Sequence, residues 1–187
     1  MIYFTSDTHL GHNKEFLYLP RGFKTIEEHN KTIVENWNNT IKQEDDVYIL
    51  GDLVLGDIDT GIELLKQLNG NIYIIKGNHD TDNKIARYLS ECKNILGINY
   101  AQEIKYKKHY FYLSHYPTIT ANYDDEKPWA NHLINLHGHT HSKEKFYNNN
   151  PYMYNVSLDA HNNFPISIDE VLLDIKTKVN EVKKEKE

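Results

Sequence analysis

The sequence predicts an α/β fold, and three observations predict it. Short apolar runs rich in β-branched and aromatic residues recur along the first half (Ile2 to Ser6, Val47 to Leu50, Ile72 to Ile75), each of strand length. Between them lie longer stretches with apolar residues near 3.6-residue spacing, so strands alternate with helices and a sheet covered on both faces follows. From Glu103 onward the runs follow one another without intervening helices, which predicts a second, more antiparallel sheet packed on the first.

In chain order, Ile2 to Ser6 forms the first strand and closes on Asp7. Leu10 to Lys24, with Gly11, Pro20, Arg21 and Gly22, reads as a loop. Ile26, Ile33, Val34, Trp37 and Ile41 mark a helix from about Ile26 to Ile41, its other face Glu, Lys and Asn. Val47 to Leu50 is a buried strand ending at Gly51-Asp52; Ile62, Leu64, Leu65 and Leu68 mark a helix stopped by Asn69-Gly70. Ile72 to Ile75 ends at Gly77-Asn78, and a helix follows over Asn83 to Leu89. Glu103 to Lys107 and His109 to Ser114 form a hairpin around Lys107-Lys108, with further strands at Leu133 to Leu136 and Met153 to Leu158. Ser167-Ile168-Asp169-Glu170 fits a capping box for a last helix bearing Val171, Leu172, Ile175 and Val179, and Lys183 to Glu187 is a charged tail. Tyr116 to His132 and Lys143 to Pro151 lack regular signals; they are either pocket rims or plain surface loops.

The 187 residues are most economically one domain, with an ordinary globular balance of 39% hydrophobic and 26% charged residues. A net charge of −6 argues against a general nucleic-acid binder. Cys92 is the sole cysteine, so neither an intrachain disulfide nor a thiolate cluster can form, as in a reducing cytosol. The first strand begins almost at the start codon and no 18-residue apolar run exists, which predicts a cytoplasmic protein without membrane association.

The chemistry lies in polar motifs that follow the apolar runs: Asp7-Thr8-His9, Gly51-Asp52, Gly77-Asn78-His79-Asp80, Ser114-His115 and Gly138-His139-Thr140-His141. Asp7, His9, Asp52, Asn78, His115, His139 and His141 are oxygen and imidazole donors in the number that two divalent ions sharing one carboxylate require. Singly each motif is modest, since Asp-x-His arises by chance and Gly-Asp is a common turn. Their ordered placement after strands is what points to metal. If the extended conformation persists beyond the strands, period-2 alternation puts Asp7 and His9 on one side, and likewise His139 and His141. His79, one residue out of phase with Asn78, points toward substrate instead.

The order D-x-H, GD, GNHD, H, GHxH resembles the calcineurin-like metallophosphoesterases over nearly the whole chain, from Ile2 to about Ile175, with no motif residue substituted. Phe4 to His12, Glu35 to Asn38 and Asn155 to Ile168 look like a small subgroup of bacterial and phage phosphoesterases. The resemblance implies a four-layer α/β/β/α sandwich with metals at the carboxyl ends of the strands. It implies one metal on Asp7, His9, Asp52 and His141 and another on Asp52, Asn78, His115 and His139. Manganese is the expected pair, with Fe, Zn, Ni or Co as alternatives. A hydroxide shared by the ions would attack phosphorus in line, and His79 would protonate the leaving group with Asp80 orienting its ring. Asp80 would serve equally as N-cap of the following helix. His12 and Arg21 are candidate substrate contacts, against roles in loop packing and as a solvated charge. His29 and His109 read as surface residues, and His132 and His161 stay undecided.

The expected substrate is a small phosphoester. A short chain without a cap domain favours a diester of nucleotide type, with monoester and nucleotide pyrophosphate hydrolysis as alternatives. A nuclease would bring a basic groove, and a non-catalytic scaffold, such as the retromer subunit of this fold, would lack metal ligands.

Overall fold

The computed structural model describes residues 1–120 and 132–185. It contains two mixed sheets flanked by helices. In the first, β1 (Ile2–Thr5), β2 (Asp46–Ile49), β3 (Asn71–Ile75) and β4 (Ile95–Asn99) run parallel, and the two-residue β9 (Ile166–Ser167) lies antiparallel to β1, in the order β4-β3-β2-β1-β9. The second sheet has the order β5 (Ala101–Tyr106), β6 (His109–Ser114), β7 (Leu133–His137) and β8 (Met153–Asn155). The helices are α1 (Glu15–Tyr18), α2 (Ile26–Thr40), α3 (Ile58–Leu65), α4 (Asp82–Glu91) and α5 (Ile168–Glu185).

Period-2 alternation divides the core. Val47, Ile49, Ile72 and Ile74 point to one side of the first sheet and pack with Ile33, Trp37 and Ile41 of the α2 segment, Ile62 and Leu65 of α3, and Tyr88 of α4. Leu50, Ile75 and Phe4 point to the other side and meet Phe111, Leu113, Ile134, Leu136 and Tyr154 of the second sheet, together with Val171 and Ile175 of α5. Local signals set the helix starts. Thr25 Oγ1 accepts the Glu28 amide at 3.1 Å, and Asp57 Oδ1 accepts the Thr60 amide at 3.1 Å. The expected capping box forms, with Ser167 Oγ accepting the Glu170 amide at 3.3 Å and Glu170 Oε2 accepting the Ser167 amide at 3.0 Å.

The second sheet is mixed and, as expected, more antiparallel than the first: among the described residues β5 and β6 pair antiparallel over six positions, whereas β6, β7 and β8 are parallel. The consequence is functional, because parallel strands bring their carboxyl ends to a common edge. The strand ends followed by Asp7, Asp52, Asn78, His115 and His139 therefore converge. Further differences are the extra β4, the single helical turn α1 inside the expected loop, and the continuation of α5 through Lys183 to Glu185. The Tyr116 to His132 segment lies largely outside the described residues. No helix among the described residues is long and apolar enough to cross a membrane.

Trp37 is fully buried, and its indole N–H donates to the Asn69 carbonyl at 2.9 Å, pinning α2 to the α3–β3 turn. Trp37→Ala is expected to cost about 3–5 kcal/mol through the cavity and lost contacts. Urea unfolding with an unchanged m-value checks this.

Candidate metal centre

Five of the seven candidate donors sit on kinked backbone, not on extended strand. Asp7 (φ 56°), His9 (φ 46°), Asp52 (φ 56°), His139 (φ 68°) and His141 (φ 48°) all occupy the left-handed region, so the extended alternation expected for Asp7-x-His9 and His139-x-His141 is replaced by paired kinks. Asp and His enter this region more readily than most side chains, but each such residue still stores strain that the surroundings must hold. Neighbouring loops hold it here. The chain after β1 runs beside the chain after β2, with Asp7 N donating to Gly51 O at 3.0 Å, His9 N to Asp52 O at 3.1 Å and Leu10 N to Leu53 O at 2.9 Å.

Two glycines let these chains close up. A Cβ on Gly77 would collide with the Asp52 carboxylate and amide, and one on Gly138 with the Ser6 hydroxyl and the Asp7 carboxylate.

The donor atoms converge. His9 Nε2 lies 4.0 Å from Asp7 Oδ1 and 3.9 Å from Asp52 Oδ2; His141 Nε2 lies 3.8 Å from Asp7 Oδ1, and His115 Nε2 3.5 Å from Asp52 Oδ2. Asn78 Oδ1 is 2.9 Å and His139 Nδ1 3.2 Å from His115 Nε2. Donors of Asp7, His9 and His141, and again of Asp7, Asp52 and His115, fall within 4.8 Å of one another. The buried atoms Asp7 Oδ1 and His9 Nδ1 and Nε2 have no hydrogen-bond partner among the described residues. Buried polar atoms are rarely left so, and a divalent cation fits both their chemistry and their mutual reach.

A supporting shell fixes the donors, and the sequence reading placed two of its members wrongly. Asp80 does not orient His79. It is fully buried, and its carboxylate accepts the amides of Asp52 (2.7 Å), Gly77 (2.9 Å) and Leu53 (3.2 Å) and the Tyr88 hydroxyl (3.3 Å). Nor does it cap α4, whose N-cap is Thr81. Asp80 is a clamp between the loops after β2 and β3. Arg21 is likewise no free phosphate clamp. Its guanidinium donates to both Asp159 oxygens (3.0 and 2.8 Å), to the Asp7 carbonyl (2.8 Å) and to His29 Nε2 (3.0 Å).

Asp159, in a 3₁₀ turn after β8, was not singled out from the sequence, yet its Oδ2 lies 3.0 Å from His141 Nδ1. His29, expected on the surface, is fully buried beneath this pair. Since its Nε2 accepts from Arg21, Nδ1 carries the proton and donates to Asn30 Oδ1 at 3.2 Å. Of the undecided histidines, His132 is stacked on Tyr152 with ring centroids 3.7 Å apart, and His161 Nε2 bonds the Asn155 carbonyl at 2.8 Å. His109 is half-buried beside the β5–β6 turn.

A cleft of about 540 Å³ opens beside the donors, lined by His9, His12, His79, His141 and Asp159 on one side and by Phe16, Leu17, Pro20 and Leu55 on the other. His12 stacks on His9 at 5.5 Å, and His79 stands edge-on to His9 at 5.9 Å. The sequence-predicted His12 and His79 therefore reach the cleft, whereas Arg21 lies behind it.

Burial pushes the Asp7 carboxyl upward and the His9 imidazole down to about 2. The hydrogen bond to Asp159 raises His141, and the same bond with those from Arg21 outweighs burial to hold Asp159 low. Asp159→Ala is expected to reduce metal affinity 10- to 100-fold by freeing the His141 ring. It should also destabilise the fold by about 3 kcal/mol, because Arg21 is left buried and unpaired. Elemental analysis after dialysis and thermal unfolding read the two effects separately.

Burial and Arg21 lower His29 from 6.5 to about 4. The unfolded chain thus binds a proton that the native state refuses. Stability is intact above about pH 6.5 and falls as pH drops toward 4, by at most about 3 kcal/mol from this group. His29→Gln, which keeps an acceptor for Arg21, should flatten that part of a urea-stability profile.

The family model described as calcineurin-like phosphoesterase matches residues 1–184. The uncharacterized protein MJ1445 of Methanocaldococcus jannaschii is 35% identical over 179 residues, covering 91% of this chain and 89% of its own. The Gene 66 protein of Mycobacterium phage L5 is 27% identical over 75% of this chain and 77% of its own. Among solved structures, a protein of unknown function from Aquifex aeolicus, AQ665, superposes with a TM-score of 0.70 at 26% identity, covering 91% of this chain and 97% of that one. With the convergent donors and the two-sheet fold, the match along almost the full length establishes that this chain belongs to the calcineurin-like phosphoesterase family, as a metal-dependent hydrolase of phosphoric esters.

Proposed function

We propose that the protein is a dinuclear-metal phosphodiesterase acting on a small substrate of nucleotide type. The observation that carries the diester reading is the lining of the cleft. It includes four imidazoles and an apolar wall but no lysine or arginine among the described residues, and Arg21 is fully engaged behind it. A monoester presents a dianion, which favours fixed cationic side chains. A diester is a monoanion with a second organic group, which this half-apolar cleft suits.

Asp7, His9, Asp52 and His141 would hold one ion, and Asp52, Asn78, His115 and His139 the other, with Asp52 shared. The donor set of oxygen and nitrogen without sulfur suits manganese, and equally Fe, Zn, Ni or Co. Bound divalent metal supplies Lewis acidity toward the phosphoryl oxygens and lowers the pKa of water.

The chain's own residues do the rest. Asp80 fixes Asp52 by its amide, and Asp52 Oδ1 in turn accepts the His79 amide at 2.8 Å, so the carboxylate and the imidazole are placed together. The His79 ring faces the cleft and donates a proton to the leaving oxygen. His12, in the same wall, positions the ester. The complete donor set argues against a scaffold that has lost its metal.

The test is turnover of bis-p-nitrophenyl phosphate, p-nitrophenyl phosphate and an alkyl phosphodiester by manganese-loaded protein, with His79→Ala and Asp52→Asn alongside. The diesters should turn over faster than the monoester. His79→Ala should keep its metal yet lose about 10²- to 10⁴-fold on the alkyl ester, and much less on p-nitrophenolate, a leaving group that needs little protonation. Asp52→Asn should lose metal by elemental analysis. Monoester preference, or an unchanged alkyl-ester rate in His79→Ala, overturns the respective assignment.

A further inference from the structure

We propose that the wall of Phe16, Leu17, Pro20 and Leu55 is a platform for a nucleobase, placed so that the leaving group of the ester is a nucleoside. The inference deepens the phosphodiesterase reading and rests on it for the direction of the substrate.

Phe16 is 73% exposed, although its neighbours Leu17 and Tyr18 on the same short helix are buried and anchor it. The turn is thus anchored and presents the ring at the mouth of the cleft. It does not stand alone. His12 meets it edge-on, with centroids 5.7 Å apart and planes at 82°, and His12 itself stacks on His9 with planes 25° apart. A run of rings therefore leads from the donor cluster to the apolar wall.

Among the described residues nothing charged is free along the wall: the carboxylate that lines the cleft, Asp159, is bound by Arg21 and His141. The complementary ligand is flat, uncharged and apolar on its faces, with polar edges for His12. That is the chemistry of a purine or pyrimidine, whose stacking on aromatic rings is tolerant of sequence. His79 lines the same cleft, which on the phosphodiesterase reading puts the group resting on the wall within the reach of its proton.

The experiment measures binding separately from turnover. Adenosine and ribose are titrated calorimetrically into wild-type protein, Phe16→Ala and Phe16→Tyr, and each is also tried as a competitive inhibitor of bis-p-nitrophenyl phosphate hydrolysis. Adenosine should bind and inhibit while ribose does neither. Phe16→Ala should weaken adenosine about tenfold or more, and Phe16→Tyr should restore it. Equal behaviour of adenosine and ribose, or equal adenosine affinity in Phe16→Ala, overturns the platform while leaving the hydrolase reading intact if the diester is cleaved. Phe16-dependent adenosine binding by metal-loaded protein that cleaves no diester supports the platform and removes the diesterase reading.

Discussion

The Asp7 carboxylate is buried where the two sheets meet, and three other stretches of chain are fastened to that one residue. Its Oδ2 accepts the Ser6 hydroxyl at 2.6 Å and the His139 amide at 2.9 Å, its carbonyl accepts Arg21, and its amide donates to Gly51. An anion with no exposure is costly unless it is compensated, and these hydrogen bonds compensate only one of its two oxygens. The other oxygen faces His9 and His141. The fold thus accepts an incompletely satisfied charge at its junction, which a bound cation would complete.

Around this junction, two carboxylates support the candidate donors without being among them. Asp80 is fully buried and Asp159 half-buried at the edge of the cleft, yet both are taken up by hydrogen bonds to other groups. Asp80 gathers three amides from two loops, whereas Asp159 links Arg21 to His141. Such groups set the orientation of the donors, and so the precision of the site, without joining its chemistry.

The donors were legible because each follows an apolar run, and the run itself announces a strand end. What hides is what depends on contacts distant in sequence. Asp159 follows no motif and reaches His141 only because β8 pairs parallel to β7. Arg21 and His29 look like solvated residues of a loop and a polar helix face; only their mutual bond, and Asp159 beyond it, reveals them as buried. Asp80 was misplaced because adjacency to His79 in sequence is not adjacency of side chains on a tight turn. The left-handed kinks were equally hidden, since Asp and His give no warning comparable to glycine. Edge strand β4, interrupted by Gly97, lacks the unbroken apolar run of its neighbours.

The donors divide unevenly between the sheets. The loops of the first sheet bring Asp7, Asp52 and Asn78 with one imidazole, His9, whereas those of the second bring only imidazoles, His115, His139 and His141. The contact between His139 and Asp7 spans 132 residues, so closing it is among the costlier ordering events of the fold. The oxygen donors come from one sheet and most of the imidazoles from the other, so the mixed donor set exists only where the two sheets meet. The nitrogen share of the candidate donor set is thus supplied mostly by the second sheet, and only the closed fold offers both kinds of donor together.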